Sequence, residues 1–175
     1  MTPAHGVAGF FRRPRPDRAE AGQESVWDYP RPPRVETRSE RIVVRLGGQV
    51  IADTTDAVRV LETSHPPVYY LPSDSFPAGV LVPVRGTSFC EFKGKAHYFD
   101  IVAGGVVVPR GGWTYPKPSR GFEALSSRVA LYPRHMDSCE VDGEQVAFQD
   151  GDFYGGWITS RIVGPFKGGP GTARW

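Results

Sequence analysis

Apolar residues fall in short β-branched or alternating stretches, broken every few positions by glycine, proline or an Asx–Gly pair, from Arg41 to Phe148. Ile42-Val43-Val44 and Val50-Ile51 flank Gly47-Gly48, which predicts a hairpin ended by Asp53-Thr54-Thr55-Asp56. Ala57 to Leu61 fits either a helical turn or a short strand, and Pro66-Pro67 ends whichever forms, because the residue before a proline is pushed out of the α region. Val68 to Leu71 reads as a strand, and Gly79 to Val84 as another whose Pro83 places it at a sheet edge. Gly94 to Val102, turned by Gly104-Gly105 into Val106 to Val108, gives a further hairpin. Cys139 to Val141 and Gln145 to Phe148 flank Asp142-Gly143 and give the next, and Arg128 to Tyr132 reads as a strand. Trp113-Thr114-Tyr115-Pro116-Lys117-Pro118 reads as a rigid aromatic loop, and Phe122 to Leu125 as a short helical turn.

Turn signals about every 8 to 12 residues with almost no helical period predict a mainly β protein. The expected form is one compact domain of short antiparallel strands, barrel-like or a sandwich, with one or two short helical turns. Four regions are expected: a flexible leader over 1–25, an extended aromatic and proline-rich arm over 26–40, the β domain over 41–149, and a Gly- and aromatic-rich extension over 150–175. The extension carries Phe153, Tyr154, Trp157, Ile162, Phe166 and Trp175, too apolar for a solvated tail, so it is expected to pack on the domain or on a second subunit.

The chain of 175 residues suits one core. Its 21 Lys+Arg against 19 Asp+Glu create no single-sign field, so nucleic acid is not an expected partner. The early Arg12, Arg13, Arg15 and Arg18 are interrupted by acids and prolines and read as a solvated arm. No apolar run reaches the roughly 20 residues that span a bilayer and there is no apolar signal region, which leaves no membrane partner and a cytoplasmic location as expectations. Cys90 and Cys139 are far apart and outside any C-x-x-C pair, and the four histidines form no short ligand pair, so no metal or cofactor is expected. Phosphate-loop glycine patterns and a Gly-x-Ser-x-Gly elbow are absent too.

Reactive side chains gather between Arg59 and Tyr98. Cys90 and Lys93 are three apart before Gly94, and a cation in such a turn can favour a thiolate nucleophile; Cys90 is equally readable as a small buried hydrophobe. Glu62 and His65 have the same spacing, which would let a carboxylate orient an imidazole as a general base, while a loop histidine bonded to backbone fits as well. On a strand, Tyr69 and Tyr70 point to opposite faces, one to the core and one to a pocket.

The order Glu62-Thr63-Ser64-His65-Pro66-Pro67-Val68-Tyr69-Tyr70-Leu71-Pro72, then Thr87-Ser88-Phe89-Cys90-Glu91-Phe92-Lys93-Gly94-Lys95-Ala96-His97-Tyr98, then Gly112-Trp113-Thr114-Tyr115-Pro116 resembles the bacterial family of domain of unknown function 427. The resemblance implies a small mainly β domain, with a β-tent-like variant among the forms open to it, in a long form with flanking extensions. It carries Glu62, His65, Tyr69, Tyr70, Cys90, Lys93, Tyr98, Trp113 and Tyr115 over as matched positions. Thr63-Ser64 stands where a glycine is expected before the histidine, and Glu91 where a proline commonly follows the cysteine. The nucleotidyltransferase-like label sometimes given to the family is not adopted, because Gly86-Thr87-Ser88 is not followed by paired carboxylates for magnesium. The expected function is a small-molecule pocket between the His65 loop and the Cys90–Gly94 turn. In it Cys90, Lys93, Glu62 and His65 take chemical roles, and Tyr69, Tyr70, Tyr98, Trp113 and Tyr115 contact the ligand. The alternative is a non-catalytic module that self-associates as a homodimer or binds a protein through its aromatic flanks.

Overall fold

The computed structural model describes residues 13–175; the first part of the expected leader, with Arg12, lies outside the described residues. The strands are β1 (Glu24–Ser25), β2 (Arg34–Arg38), β3 (Ile42–Leu46), β4 (Gln49–Thr54), β5 (Ala57–Leu61), β6 (Val68–Pro72), β7 (Leu81–Cys90), β8 (Gly94–Ala103), β9 (Val106–Thr114), β10 (Arg128–Leu131), β11 (Ser138–Val141), β12 (Glu144–Gln145), β13 (Ala147–Phe148), β14 (Trp157–Ile158) and β15 (Ile162–Val163). A seven-stranded antiparallel sheet runs in the order β2-β5-β6-β10-β9-β8-β7 and a four-stranded one in the order β12-β11-β3-β4. Neither sheet closes on itself, so the protein is an open sandwich-like fold rather than a barrel. Four 3-10 turns, at Val26–Asp28, Ser73–Ser75, Glu123–Leu125 and Pro133–His135, stand where one or two helical turns were expected.

Strand periodicity accounts for the core between the sheets. Ile42, Val44 and Leu46 point from one sheet, and Tyr69, Leu71, Ile101, Val129 and Leu131 from the other, into one buried cluster. Ala57 to Leu61 is a strand, not a helical turn, and all five of its residues are buried because both faces of β5 are covered. The Gly47-Gly48 and Gly104-Gly105 turns form as the sequence indicates, and they press on each other so closely that a Cβ on Gly104 would collide with the Gly47 carbonyl. Asp142 and Gly143 both take positive φ, 47° and 80°, which is the type I′ turn that matches strand twist. β7 lies at the sheet edge, where Pro83 leaves no ladder bond unmade.

Trp113 and Thr114 do not belong to a loop: β9 continues through them because Trp113 pairs with Ala130 and Tyr98, and Thr114 with His97. Arg34–Arg38, within the stretch expected to be an extended arm, pairs with β5 as the far edge strand. Arg59, 4% exposed, donates to Glu24 at 2.8 Å and Glu36 at 2.7 Å, tying the N-terminal segment to that edge. Trp157 from the C-terminal segment is 1% exposed, and its ring stands 5.0 Å from that of Tyr69 inside the inter-sheet core. No helix among the described residues is long and apolar enough to cross a membrane.

Candidate functional site

The outer face of the seven-stranded sheet carries a second apolar layer. Because side chains alternate along a strand, the face opposite the inter-sheet core collects Val58 and Val60 from β5, Tyr70 from β6, Ala130 from β10, Trp113 from β9 and Ala96 from β8. Register sets them in a row: Val58 is opposite Tyr70, Tyr70 opposite Ala130, Ala130 opposite Trp113, and Trp113 opposite Tyr98. Ala130 is small, so the two large rings meet across it with centroids 6.3 Å apart and the Trp113 indole N–H donates to the Tyr70 hydroxyl at 3.3 Å. Tyr132 continues the layer, its ring 4.6 Å from that of Trp113.

A cavity of about 340 Å³ opens over this row. Glu62, His65, Tyr70, Cys90, Lys93, Tyr98, Trp113 and Tyr115 all line it. Tyr69 does not: as strand parity requires, it points into the inter-sheet core. The sequence reading also missed Tyr132, Gln149, Phe153, Tyr154 and Lys167, which complete the wall. Tyr132 was accessible by parity from Ala130, whereas the other four come from a segment whose approach no local pattern announces.

Four stretches deliver these groups. β5 ends at Leu61 and the chain turns through Glu62-Thr63-Ser64-His65, closed by the His65 N–H donating to the Glu62 carbonyl at 3.0 Å. Ser64 has φ of 71° at the third position, as a type II turn demands, which explains why glycine is the residue expected there. The turn is held from two sides: the Ser64 N–H donates to the Val26 carbonyl at 3.0 Å and the Lys167 N–H to the Ser64 carbonyl at 2.9 Å. On the other side of the cavity, β7 and β8 close with Cys90 opposite Gly94, which puts Ser88, Cys90, Ala96 and Tyr98 on one face. There the Ser88 and Tyr98 hydroxyls bond at 2.6 Å, and the Arg110 guanidinium covers the Tyr98 ring at 3.9 Å. The end of β9 and the residue after it supply Trp113 and Tyr115 as the third stretch, and the C-terminal segment is the fourth: Tyr154 packs its ring 4.9 Å from His65, and Gly155 lies so close to Trp113 that any Cβ would strike the indole.

The expected acid–base pair is not assembled. The 62–65 turn sends the two side chains apart: Glu62 forms an ion pair with Arg31 at 3.3 Å, and His65 meets Gln149 instead. Gln149 is 1% exposed; its Oε1 accepts from the Gly156 N–H at 3.1 Å and its Nε2 donates to the Lys167 carbonyl at 2.6 Å. The amide nitrogen 3.2 Å from His65 Nδ1 is therefore a donor, so Nδ1 accepts and the ring proton resides on Nε2. Burial, assisted by the positive charges of Lys167, Arg31 and Lys93, lowers the His65 pKa to about 4 and keeps the ring neutral at pH 7.

The Cys90–Lys93 pair is likewise not joined: among the described residues no hydrogen bond links the two, and the Lys93 ammonium stands 5.9 Å from the Tyr115 ring centroid. Cys90 is half-buried against the aromatic layer and free, as is Cys139. Cys139 belongs to the inter-sheet core, where burial pushes its thiol pKa up to about 12, so the two sulfurs serve different layers. Burial also raises the Tyr70, Tyr115 and Tyr132 pKa values, which leaves three neutral phenols around the cavity. Among the described residues no group of three or more His, Cys, Asp or Glu side chains is arranged to hold a metal ion.

No curated protein matches the chain. A family profile matches from the first residue of β2 to the β11–β12 turn, which takes in the 62–65 turn, the β7–β8 hairpin and the Trp113 row but not Gln149, Tyr154 or Lys167. On that match over residues 34–142, the chain belongs to the family described as Domain of unknown function (DUF427).

Proposed function

We propose that the protein binds a small molecule in the cavity between the His65 turn and the Cys90–Gly94 hairpin end. The observation that carries this reading is convergence: residues from stretches as distant as Glu62, Cys90, Trp113 and Gln149 surround one space of about 340 Å³, the size range of ligand pockets. Binding is favoured over catalysis. A general base needs a partner that stabilises its charged form, and His65 has a neutral amide instead, while Glu62 is engaged by Arg31. Cys90 serves as part of the wall and Lys93 as a cation at its edge.

Thermal-shift screening with an unbiased metabolite library tests this, since a ligand that binds only the folded state raises stability with its saturation. Hits are expected that raise the melting temperature of the native chain and lose their effect in Cys90→Phe, which fills the cavity from a half-exposed position. Hits that act equally on both proteins would place binding elsewhere and overturn the reading.

A second reading, association with a protein partner or another copy of the chain, draws on the exposure of Phe89 (78%) and Phe153 (77%) at the cavity mouth. Sedimentation separates it: a dimer that dissociates on Phe153→Ser would favour this reading, and a monomer at all concentrations would remove self-association.

A further inference from the structure

We propose that the ligand is a flat aromatic system of one or two rings bearing an anionic acceptor group, its rings stacked on the Tyr70–Trp113–Tyr132 layer and its anion directed to Lys93. This rests on the cavity being a ligand site and goes on to say what chemistry it selects.

The walls decide the shape. Nine of the lining residues are Phe, Tyr or Trp, and they come from both the sheet floor and the rim, so a guest meets ring faces on more than one side. A planar π system gains offset or edge contacts from such walls that a saturated ring of equal area does not. The volume of about 340 Å³ admits one or two fused rings with a substituent.

The polar groups decide the charge, and they are mainly donors. Neutral His65 keeps its proton on Nε2 because Nδ1 is occupied by Gln149, so the ring nitrogen left over is a donor. Tyr115 and Tyr132 line the cavity, and their hydroxyls have no hydrogen-bond partner among the described residues. Burial keeps both phenols protonated and able to donate.

Of the charged groups on the lining, Glu62 is paired with Arg31, and the Lys167 ammonium donates to the Trp175 carbonyl at 3.0 Å. Glu91 is exposed to water at the hairpin tip, while Lys93 is half-buried and has no carboxylate within ion-pair distance among the described residues. The screened, solvated carboxylate acts weakly on a guest, and the half-buried ammonium acts strongly. An aromatic cage could by itself attract a cation. Here Lys93 already stands against Tyr115, and the donors favour an acceptor-rich anion.

The test is calorimetric titration of the full chain with four probes of matched size: 2-naphthoate, decahydronaphthalene-2-carboxylate, 2-naphthalenemethanol and 2-naphthylmethylammonium. The expected order has 2-naphthoate binding about tenfold more tightly than the saturated acid and than the ammonium. Lys93→Gln is expected to weaken 2-naphthoate about tenfold while leaving 2-naphthalenemethanol within roughly twofold, and Lys93→Arg to restore most of the loss. Preference for the ammonium or the saturated acid, with binding still abolished by Cys90→Phe, would overturn the ligand class and leave the site standing. If none of the four binds while library hits are lost in Cys90→Phe, the class alone is again wrong. Absence of both kinds of binding would overturn the site as well.

Discussion

Ser64 is fully buried and holds a φ of 71°, and its hydroxyl finds no hydrogen-bond partner there. The left-handed conformation costs a residue with a Cβ roughly 1–2 kcal/mol and the orphan hydroxyl costs more, against about 0.5–1 kcal/mol of extra chain entropy for glycine. Ser64→Gly is therefore expected to stabilise the fold by about 1 kcal/mol, read as a higher urea midpoint at unchanged slope; a lower midpoint would show that the hydroxyl matters to the turn. The resemblance in sequence pointed to Thr63-Ser64 through a missing glycine, and the positive φ of Ser64 singles out that residue and supplies the reason. His65 was legible as a residue of interest but not in its role, because spacing along the chain does not reveal that a type II turn parts it from Glu62 or that Gln149 replaces the carboxylate. Its folded pKa of about 4 lies below the ordinary value of 6.5, so the unfolded chain binds a proton that the folded one refuses. Stability from this group is full above the unfolded pKa and lost as pH falls from about 6.5 to about 4, on the order of 3 kcal/mol in all. Urea melts at pH 7 and pH 4.5 are expected to show a drop that His65→Gln largely removes; an equal drop in both proteins would assign the acid sensitivity to other groups.

Hairpins were the most legible elements, because their turns are written locally in Gly47-Gly48, Gly104-Gly105 and Asp142-Gly143. Their mutual packing was not, since the contact between the first two turns joins the ends of separate sheets. That contact makes two neighbouring glycines unequal. Gly105→Ala meets no atom within 4 Å and suffers only the positive-φ penalty of about 1 kcal/mol, whereas Gly104→Ala must also push its Cβ through the Gly47 carbonyl and is expected to cost more than about 3 kcal/mol. Equal denaturation midpoints for the two variants would contradict the close approach. Strand β9 illustrates the opposite error. Its last residues, Trp113 and Thr114, lie beside prolines and read as loop, yet pairing with β8 and β10 keeps them extended and thereby places the indole in the cavity row. Tertiary pairing overrides local loop chemistry there.

At the scale of the molecule, one sheet separates two apolar layers, and strand parity assigns each residue to one or the other. Tyr69 and Tyr70 show this: adjacent in sequence, one packs on Trp157 in the inter-sheet core and the other bonds Trp113 at the cavity. The β5–β6 and β7–β8 contributions to the site, with Trp113 and Tyr115, could be read from sequence because each is carried by a local motif. Gln149, Tyr154 and Lys167 could not, since long-range contacts bring them in, among them the Trp157 N–H donating to the Pro67 carbonyl at 2.8 Å and Gly155 against the Trp113 indole. The C-terminal segment thus completes both layers. A chain ending at Phe148 lacks Trp157, whose removal alone is worth about 3–5 kcal/mol against a typical total of 5–15 kcal/mol. That truncation is expected to abolish cooperative thermal unfolding by circular dichroism; a native-like melt would show that the segment is dispensable. The most direct test of the cavity as the ligand site is an indole ¹H–¹⁵N spectrum of the full chain recorded with and without the tightest thermal-shift hit. The Trp113 resonance is expected to move with saturating binding while that of Trp157, buried in the other layer, stays in place. A hit that leaves Trp113 unmoved while shifting Trp157, Trp27 or Trp175 would contradict the account.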